Sequence, residues 1–236
     1  MDIETLPIVA YTWETYNVNI NKDQIIKDWS ILCWSAKWLD DPRMITGCLT
    51  PKEVKTRNDK RICQIMWKLF DEADVIIAQN GRRFDIPKLN TRFWLHRMPQ
   101  PSSYKIIDTL EAARKSFGMT FNSLDYLGRY LEVGGKLKTD FLLWKNCDRG
   151  DKDALARMSE YNQNDVMLLE SVYMKMRNWI PGHPKFTVYN KVVGVCPVCL
   201  SSDISNVGLY TATVRQYMEW RCNGCGVIYH STKPEK

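Results

Sequence analysis

The sequence predicts an α/β domain followed by a small β module, on the basis of three observations. The apolar run from Val75 to Ala78 does not alternate with polar residues, which is typical of a strand covered on both faces. Residues 152–179 repeat apolar side chains at helical spacing. Beyond them, two CxxC pairs lie in a segment rich in β-branched and aromatic residues, which is typical of a metal-bound β module.

The overall composition is that of a globular protein. Hydrophobic residues make up 44% of the 236 residues and charged residues 25%, which is enough apolar material for a core. No apolar run approaches the roughly 20 residues that cross a bilayer, and the N-terminus lacks the pattern of a signal peptide. We therefore expect no membrane partner and a cytoplasmic location, in the host cytoplasm if the protein is viral. The net charge of +6 is too small to indicate a polyanionic partner by itself.

The remaining elements follow from local signals. The expected elements, in chain order, are strands of mixed period within 19–38, a strand at 75–78, a helix from Asp85 to about His96 with Asp85 as its N-cap, a strand at Ile106–Ile107, a helix from Thr109, a helix at 123–131, and a helix at 152–179 capped by Asp151. The stretch Pro181-Gly182-His183-Pro184 cannot continue a helix. It predicts a boundary between a domain at 1–185 and a module at 186–236.

Several carboxylates have spacings that suit a metal site. Asp2 and Glu4 are two residues apart, so on a strand they emerge on one face, where they repel each other unless a cation lies between them. Tyr161 and Asp165 are four residues apart and share a face of the long helix. For each fragment alone, an ordinary structural role is the alternative: solvated acids, a packed tyrosine, and a capping role for Asp85.

The order of these fragments is more specific than any one of them. DxE near the start, NxxxFD from Asn80 to Asp85, and YxxxD on a late helix resemble the three exonuclease motifs of the DEDD superfamily. The tyrosine spacing resembles its DEDDy subclass, which includes proofreading domains of family B DNA polymerases and stand-alone phage exonucleases. The segment from Asp108 through Ser123-Leu124-Asp125-Tyr126-Leu127 to Lys136 is also similar, and the resemblance covers about residues 1–180.

This resemblance implies an RNase H-like mixed sheet flanked by helices, together with a two-metal site. It implies that Asp2, Glu4 and Asp165 hold one Mg²⁺ or Mn²⁺, and that Asp2 bridges to a second such ion on which Asp85 acts through water. Tyr161 is then expected to orient the attacking water. The residues expected to hold the terminal nucleotide are the backbone of Thr5 and Leu6, Asn80, and Phe84.

The activity implied is that of a 3′→5′ exonuclease acting on the 3′ ends of single-stranded DNA or RNA, with DNA preferred. A polymerase or a replication protein is the protein partner that this activity suggests. One alternative is an RNA-trimming exonuclease on the same scaffold. The other is a zinc-dependent nucleic-acid-binding protein whose nuclease site is impaired. It is motivated by Met1, the single residue before Asp2, because a ligand at a chain end is expected to fray and to bind metal weakly.

The four C-terminal cysteines have the spacing of a zinc ribbon. Cys196 and Cys199 form one CxxC pair, Cys222 and Cys225 form the other, and 22 residues separate the pairs. Two such turns complete a tetrahedral four-cysteine site, and four protein ligands make the predicted Zn²⁺ structural. The residues from Tyr210 to Trp220 alternate as strands do. Four buried or redox-active thiols are the alternative.

The module also contains basic and aromatic residues, namely Arg215, Tyr217, Trp220 and Arg221. They suit a surface for single strands, and packing of the aromatic rings against the hairpin is the alternative. The three histidines show no ligand pattern. The remaining cysteines, Cys33, Cys48, Cys63 and Cys147, are expected to be small buried hydrophobic residues.

Overall fold

A computed structural model describes residues 1–234; the last two residues of the predicted module lie outside them. The chain forms two compact units. One consists of Met1–Leu110 and Phe121–Val172, and the other of Glu111–Thr120 and the chain from Tyr173 onward. No helix among the described residues is long and apolar enough to cross a membrane.

The first unit carries most of the secondary structure. Its strands are β1 (Asp2–Leu6), β2 (Val9–Ala10), β3 (Ile25–Lys27), β4 (Ser30–Ala36), β5 (Ile45–Cys48), β6 (Val75–Ala78) and β7 (Lys105–Asp108). The helices that lie in it wholly or in part are α1 (Pro51–Thr56), α2 (Lys60–Glu72), α3 (Asp85–Leu95), α4 (Thr109–Ser116), α5 (Leu124–Tyr130), α6 (Phe141–Asp148) and α7 (Lys152–Met176). This mixture of strands and helices confirms the predicted α/β class.

The strands are arranged around β1. β4 pairs antiparallel with β1 on one side and with β5 on the other, while β6 and β7 pair in parallel. The Met1 nitrogen donates to the Ile77 carbonyl oxygen at 2.9 Å, and the Ile3 N–H donates to Asp85 Oδ1 at 3.1 Å. Because N–H groups two residues apart leave a strand on the same edge, both bonds lie on the edge of β1 opposite β4. β6 and the start of α3 therefore flank β1 on that edge.

β4 is the best-buried strand, because both of its faces are covered. Six of its seven residues are buried, and the Trp34 side chain is fully enclosed. Its Nε1 donates to the Ile62 carbonyl oxygen at 2.9 Å. On β5, Gly47 makes room for the indole, since a Cβ at this position would lie 2.5 Å from Trp34 Nε1. A side chain at this glycine would displace the largest buried ring of the core.

Four helices form where the sequence predicts them, one predicted helix cap is wrong, and three further helices of the first unit were not predicted. α3, α4, α5 and α7 form where they are expected, and Asp151 Oδ1 caps α7 by accepting from the Ala154 N–H at 2.7 Å. The predicted capping role of Asp85 is wrong, because Phe84 is the N-cap and Asp85 is the first helical residue. α1, α2 and α6 were not predicted, although Thr50 and Glu53 form a capping box at the start of α1.

A buried carboxylate joins three elements of the first unit. Asp59, before α2, accepts from the Ile31 N–H at 2.9 Å and from Arg92 Nη2 at 2.7 Å, and its Oδ1 lies 2.6 Å from His96 Nε2. His96 therefore has a partner that the sequence did not reveal. Cys33, Cys63 and Cys147 are buried, as expected, while Cys48 is only partly so.

The second unit contains a three-stranded antiparallel sheet in the order β10-β9-β8. Its elements beyond the end of α7 are α8 (Phe186–Tyr189), β8 (Ile204–Thr211), β9 (Gln216–Cys222) and β10 (Ile228–His230). β8 and β9 form the hairpin predicted between the cysteine pairs. Most side chains of this hairpin are partly or fully exposed. The hydrophobic cluster of the module is therefore small, and it centres on Cys196, Val198 and Cys222.

Candidate active site and cysteine cluster

Three carboxylates meet between β1 and α7. Asp2 and Glu4 emerge on one face of β1, while Ile3 between them is buried in the core. α7 supplies Asp165, and the carboxylate oxygens of the three residues lie within 4.8 Å of one another. Residues from the two ends of the first unit therefore form one acidic cluster.

Asp85 lies beside this cluster rather than inside it. Its side chain is 2% exposed, and its Oδ1 is held by the backbone N–H of Ile3, the residue between the two β1 carboxylates. Among the described residues, the close group contains Asp2, Glu4 and Asp165 only. The fourth predicted carboxylate thus faces β1 from the edge opposite β4.

Burial and mutual repulsion make this cluster unfavourable for three full negative charges. Burial raises the pKa of Asp2 well above its usual range, and the nearby charge of Asp85 raises it further. Burial also raises the pKa of Glu4 to about 7, although the Lys136 ammonium opposes this. Burial likewise raises the pKa of Asp85 to about 6. The cluster therefore binds protons or a cation more readily than isolated carboxylates do.

Lys136 and Tyr161 lie at one end of the cluster. Lys136 Nζ is 2.6 Å from Asp165 Oδ2 and donates to the Tyr161 hydroxyl at 3.0 Å. Asp85 instead contacts β1, through the Ile3 N–H at 3.1 Å. The site therefore has a Tyr161 end beside Lys136 and an Asp85 end beside Ile3.

Two residues to which the sequence analysis gives no role belong to this site. Lys136 ends the segment that resembles DEDD domains, but it lies in a loop without periodicity, where spacing alone predicts no contact with the carboxylates. Asn162 is fully buried on α7, and its Nδ2 donates to Asp2 Oδ2 at 2.7 Å. The position of Asn162, three residues before Asp165 on the same helix, was the one available signal.

The donor set fits a divalent cation with oxygen ligands. Besides the convergence of Asp2, Glu4 and Asp165, Asp165 Oδ1 is buried without a hydrogen-bond partner among the described residues. A buried carboxylate oxygen in that state is costly unless something positive binds it. Oxygen ligands of this kind suit Mg²⁺ or Mn²⁺ rather than Zn²⁺.

The residues predicted to hold the terminal nucleotide differ in accessibility. The Leu6 side chain is fully buried, so only its backbone can contact a ligand, as predicted, and Thr5 is partly exposed. Asn80 adopts a left-handed backbone with φ of 61°, and its N–H donates to Asp108 Oδ1 at 2.9 Å. The Phe84 ring is 38% exposed immediately before Asp85. These four residues thus remain candidates for a nucleotide site.

The four C-terminal cysteines form a second cluster in the other unit. All four sulfur atoms lie within 4.8 Å of one another, with Cys196 Sγ 3.7 Å from Cys225 Sγ and Cys199 Sγ 3.5 Å from Cys222 Sγ. A tetrahedron with Zn–S bonds of about 2.3 Å has sulfur–sulfur edges of about 3.8 Å. The geometry therefore fits a zinc module with a closed ligand set.

Backbone groups support the thiolate form at one of these cysteines. Burial by itself would raise the pKa of Cys222, but the Cys225 N–H, which donates to its sulfur at 3.4 Å, and the neighbouring thiols lower the pKa to about 7. The Val198 N–H donates to Cys196 Sγ at the same distance. Thiolates are the form that binds metal.

The aromatic residues of the hairpin contact each other. The rings of Tyr210 and His230 stack with centroids 4.6 Å apart, and Tyr217 lies 5.6 Å from His230. Trp220 and Tyr217 are partly buried, while Arg215 and Arg221 are exposed. The hairpin therefore combines ring packing with exposed basic residues, and its binding of single strands stays a prediction.

A protein-family model matches most of this chain. The family model of the RNase_H superfamily matches residues 39–177, which is more than half of the chain and includes Asp85, Tyr161 and Asp165. No curated protein matches this chain.

Proposed function

The chain belongs to the RNase_H superfamily, and from that premise we propose that it is a divalent-metal-dependent 3′→5′ exonuclease that acts on single-stranded nucleic acid, DNA in preference to RNA. Membership indicates a nucleic-acid-processing hydrolase. The finer assignment rests on one observation above all: Asp2, Glu4 and Asp165 converge within 4.8 Å beside a tyrosine that is hydrogen-bonded by a lysine.

In this proposal the carboxylates bind the catalytic ions. Asp2, Glu4 and Asp165 would hold one Mg²⁺ or Mn²⁺, and Asp2 and Asp85 would hold a second. Such ions, when bound, polarise the phosphodiester and make water a better nucleophile. Asn162 keeps the Asp2 carboxylate in place through its 2.7 Å hydrogen bond. This bond supports Asp2 from α7, independently of the strand that carries it.

Tyr161 and Lys136 act at the phosphate. The Tyr161 hydroxyl accepts from Lys136 Nζ, and as a phenol it can also donate its own proton to an acceptor. We assign to it the orientation of the attacking water. The Lys136 ammonium offsets the negative charge of Asp165. We assign it to a phosphate oxygen of the bound strand, whose negative charge it would stabilise.

The terminal nucleotide is assigned to the surface around Phe84, Asn80 and the Thr5–Leu6 backbone. A half-exposed aromatic ring gives a stacking platform for a base without sequence preference. In the other unit, we propose that Cys196, Cys199, Cys222 and Cys225 bind one structural Zn²⁺, and that 186–236 is a separate zinc-ribbon module.

The experiment that tests this function uses 5′-end-labelled single-stranded DNA and RNA of one sequence, with Mg²⁺ or Mn²⁺. We expect a ladder of products shortened from the 3′ end, more rapid on DNA, that disappears in Asp85→Asn and Asp165→Asn. Asp153→Asn is the matched control, because Asp153 is an exposed carboxylate on the same helix as Asp165.

Other outcomes would contradict the proposal in different ways. Internal cuts on a circular single strand would indicate an endonuclease. Faster shortening of RNA would indicate a trimming enzyme. Strand binding without cleavage under either metal would indicate a zinc-dependent binding protein with an impaired nuclease site.

A further inference from the structure

Two aromatic rings and one lysine form a continuous surface at the start of α3. Lys88 Nζ lies 3.9 Å from the centroid of the Trp29 ring and 5.3 Å from the centroid of the Phe84 ring. Phe84 is 38% exposed, while Trp29 and Lys88 are partly exposed. We call these three residues the α3 stripe.

The ammonium of Lys88 is available to a ligand. Among residues 1–234 no carboxylate lies within ion-pair distance of it and no hydrogen bond holds it, although burial lowers its pKa and the nearby charge of Asp28 opposes this shift. Arg92, one turn further along α3, is instead bound to buried Asp59. The face of Trp29 attracts a cation and fixes the direction of the lysine side chain. A cation held beside an exposed ring matches a nucleotide, which offers a phosphate and a base.

The proposed reaction indicates which part of the substrate lies over this surface. If Tyr161 orients the attacking water, the leaving 3′ oxygen departs on the opposite side of the phosphorus atom, because displacement at phosphorus is in line. That opposite side is the Asp85 end of the site. The strand that carries the leaving oxygen therefore runs over the first turn of α3, where Asp85 is followed by Lys88.

We propose that Lys88 and Trp29 of the α3 stripe bind the upstream part of the single strand, on the 5′ side of the bond that is cleaved. Lys88 pairs with a backbone phosphate, Trp29 is a positioning residue that holds Lys88 beside Phe84, and Phe84 keeps the role at the terminal base that is proposed above. This inference rests on the proposed exonuclease function, and it assigns a binding role to Trp29 and Lys88.

The test separates the upstream strand from the rest of the substrate. The p-nitrophenyl ester of thymidine 5′-monophosphate contains the terminal nucleotide and a leaving group but no upstream strand. We expect Lys88→Gln to raise KM for a 12-nucleotide single strand about 5- to 10-fold with little change in kcat, and to leave hydrolysis of the ester unchanged. Lys88→Arg should restore KM to near its original value.

A second readout needs no catalysis. Binding of a 5′-fluorescein-labelled 12-nucleotide strand is measured by anisotropy in EDTA at several salt concentrations. The slope of log K against log salt is negative, and loss of one phosphate contact should reduce its magnitude by about 0.7, as expected for single strands. Trp29→Leu should weaken binding in the same direction. Lys68→Gln and Trp94→Leu are matched controls, since both residues are exposed on helices outside the stripe.

The outcomes distinguish a role of Lys88 in binding the upstream strand from a structural role and from a role at the reaction centre. A lower melting temperature with unchanged Kd and salt slope in Lys88→Gln would overturn the inference and leave a structural role. Equal losses on the strand and on the ester would overturn it as well, because the residue would then act at the reaction centre. Failure of the exonuclease function is distinguishable, since the unsubstituted protein would then release no nucleotides from the 3′ end of the strand with Mg²⁺ or Mn²⁺, whereas the anisotropy measurement needs no cleavage.

Discussion

Replacing Lys136 with methionine separates the electrostatic role of this residue from its catalytic one. Asp165 is 1% exposed, and its ion-pair partner is the Lys136 ammonium at 2.6 Å. Removing one partner of a buried pair costs about 3–5 kcal/mol. Because the Lys136 side chain is 33% exposed, water screens part of the interaction, and we expect a loss of about 2 kcal/mol in the metal-free protein.

The assay is thermal unfolding at pH 8 in EDTA and again with Mg²⁺. For a chain of this length about 2 kcal/mol corresponds to a fall in Tm of about 4–8 °C. Adding Mg²⁺ should raise the Tm of Lys136→Met by more than it raises the Tm of the unsubstituted protein, because the variant lacks one positive charge that competes with the ion. Nuclease activity should nevertheless fall. Lys138→Met is the control, since no ion pair holds this exposed neighbour among the described residues.

A Tm for Lys136→Met in EDTA equal to that of the unsubstituted protein would refute this reasoning. So would a smaller stabilisation by Mg²⁺ in the variant than in the parent. Either result would mean that Asp165 does not depend on Lys136 for its charge balance.

Three further predictions follow from the two clusters. The raised pKa of Glu4, about 7, favours its protonated form in the folded state, so metal-free protein should lose stability as the pH rises from about 4.5 through 7, and Glu4→Gln should reduce that loss in melting curves. Zinc content measured with a chromogenic chelator should be about one per chain, and should fall toward zero in Cys222→Ser but not in Cys63→Ser. Asn162→Ala should lower nuclease activity about 10- to 100-fold at constant metal, because the Asp2 carboxylate loses its hydrogen bond.

Local structure was largely predictable, because its signals lie within a few residues of each other. The Asp151 cap, the long helix α7 and the buried strand β6 each follow from adjacent residues and form as expected. α2 also has a local signal, because its buried residues, among them Ile62, Met66 and Phe70, have helical spacing.

The site was predictable only in part. Asp2, Glu4 and Asp165 were chosen by motif order, and the fold brings their carboxylates together. Local reasoning assigned Asp85 to a helix cap, whereas its carboxylate accepts from the β1 backbone instead. Long-range contacts of this kind leave no trace in residue spacing.

The sequence by itself determined which residue types stand at which intervals: two carboxylates on one strand face, a tyrosine and an aspartate on one helix face, and two thiol pairs in tight turns. Only the tertiary structure decided which of these meet, and it added Lys136 and Asn162 to the acidic cluster. The physical reason is that periodicity orients a side chain relative to its own element. Charge balance in a buried cluster depends on partners that packing brings from elsewhere in the chain.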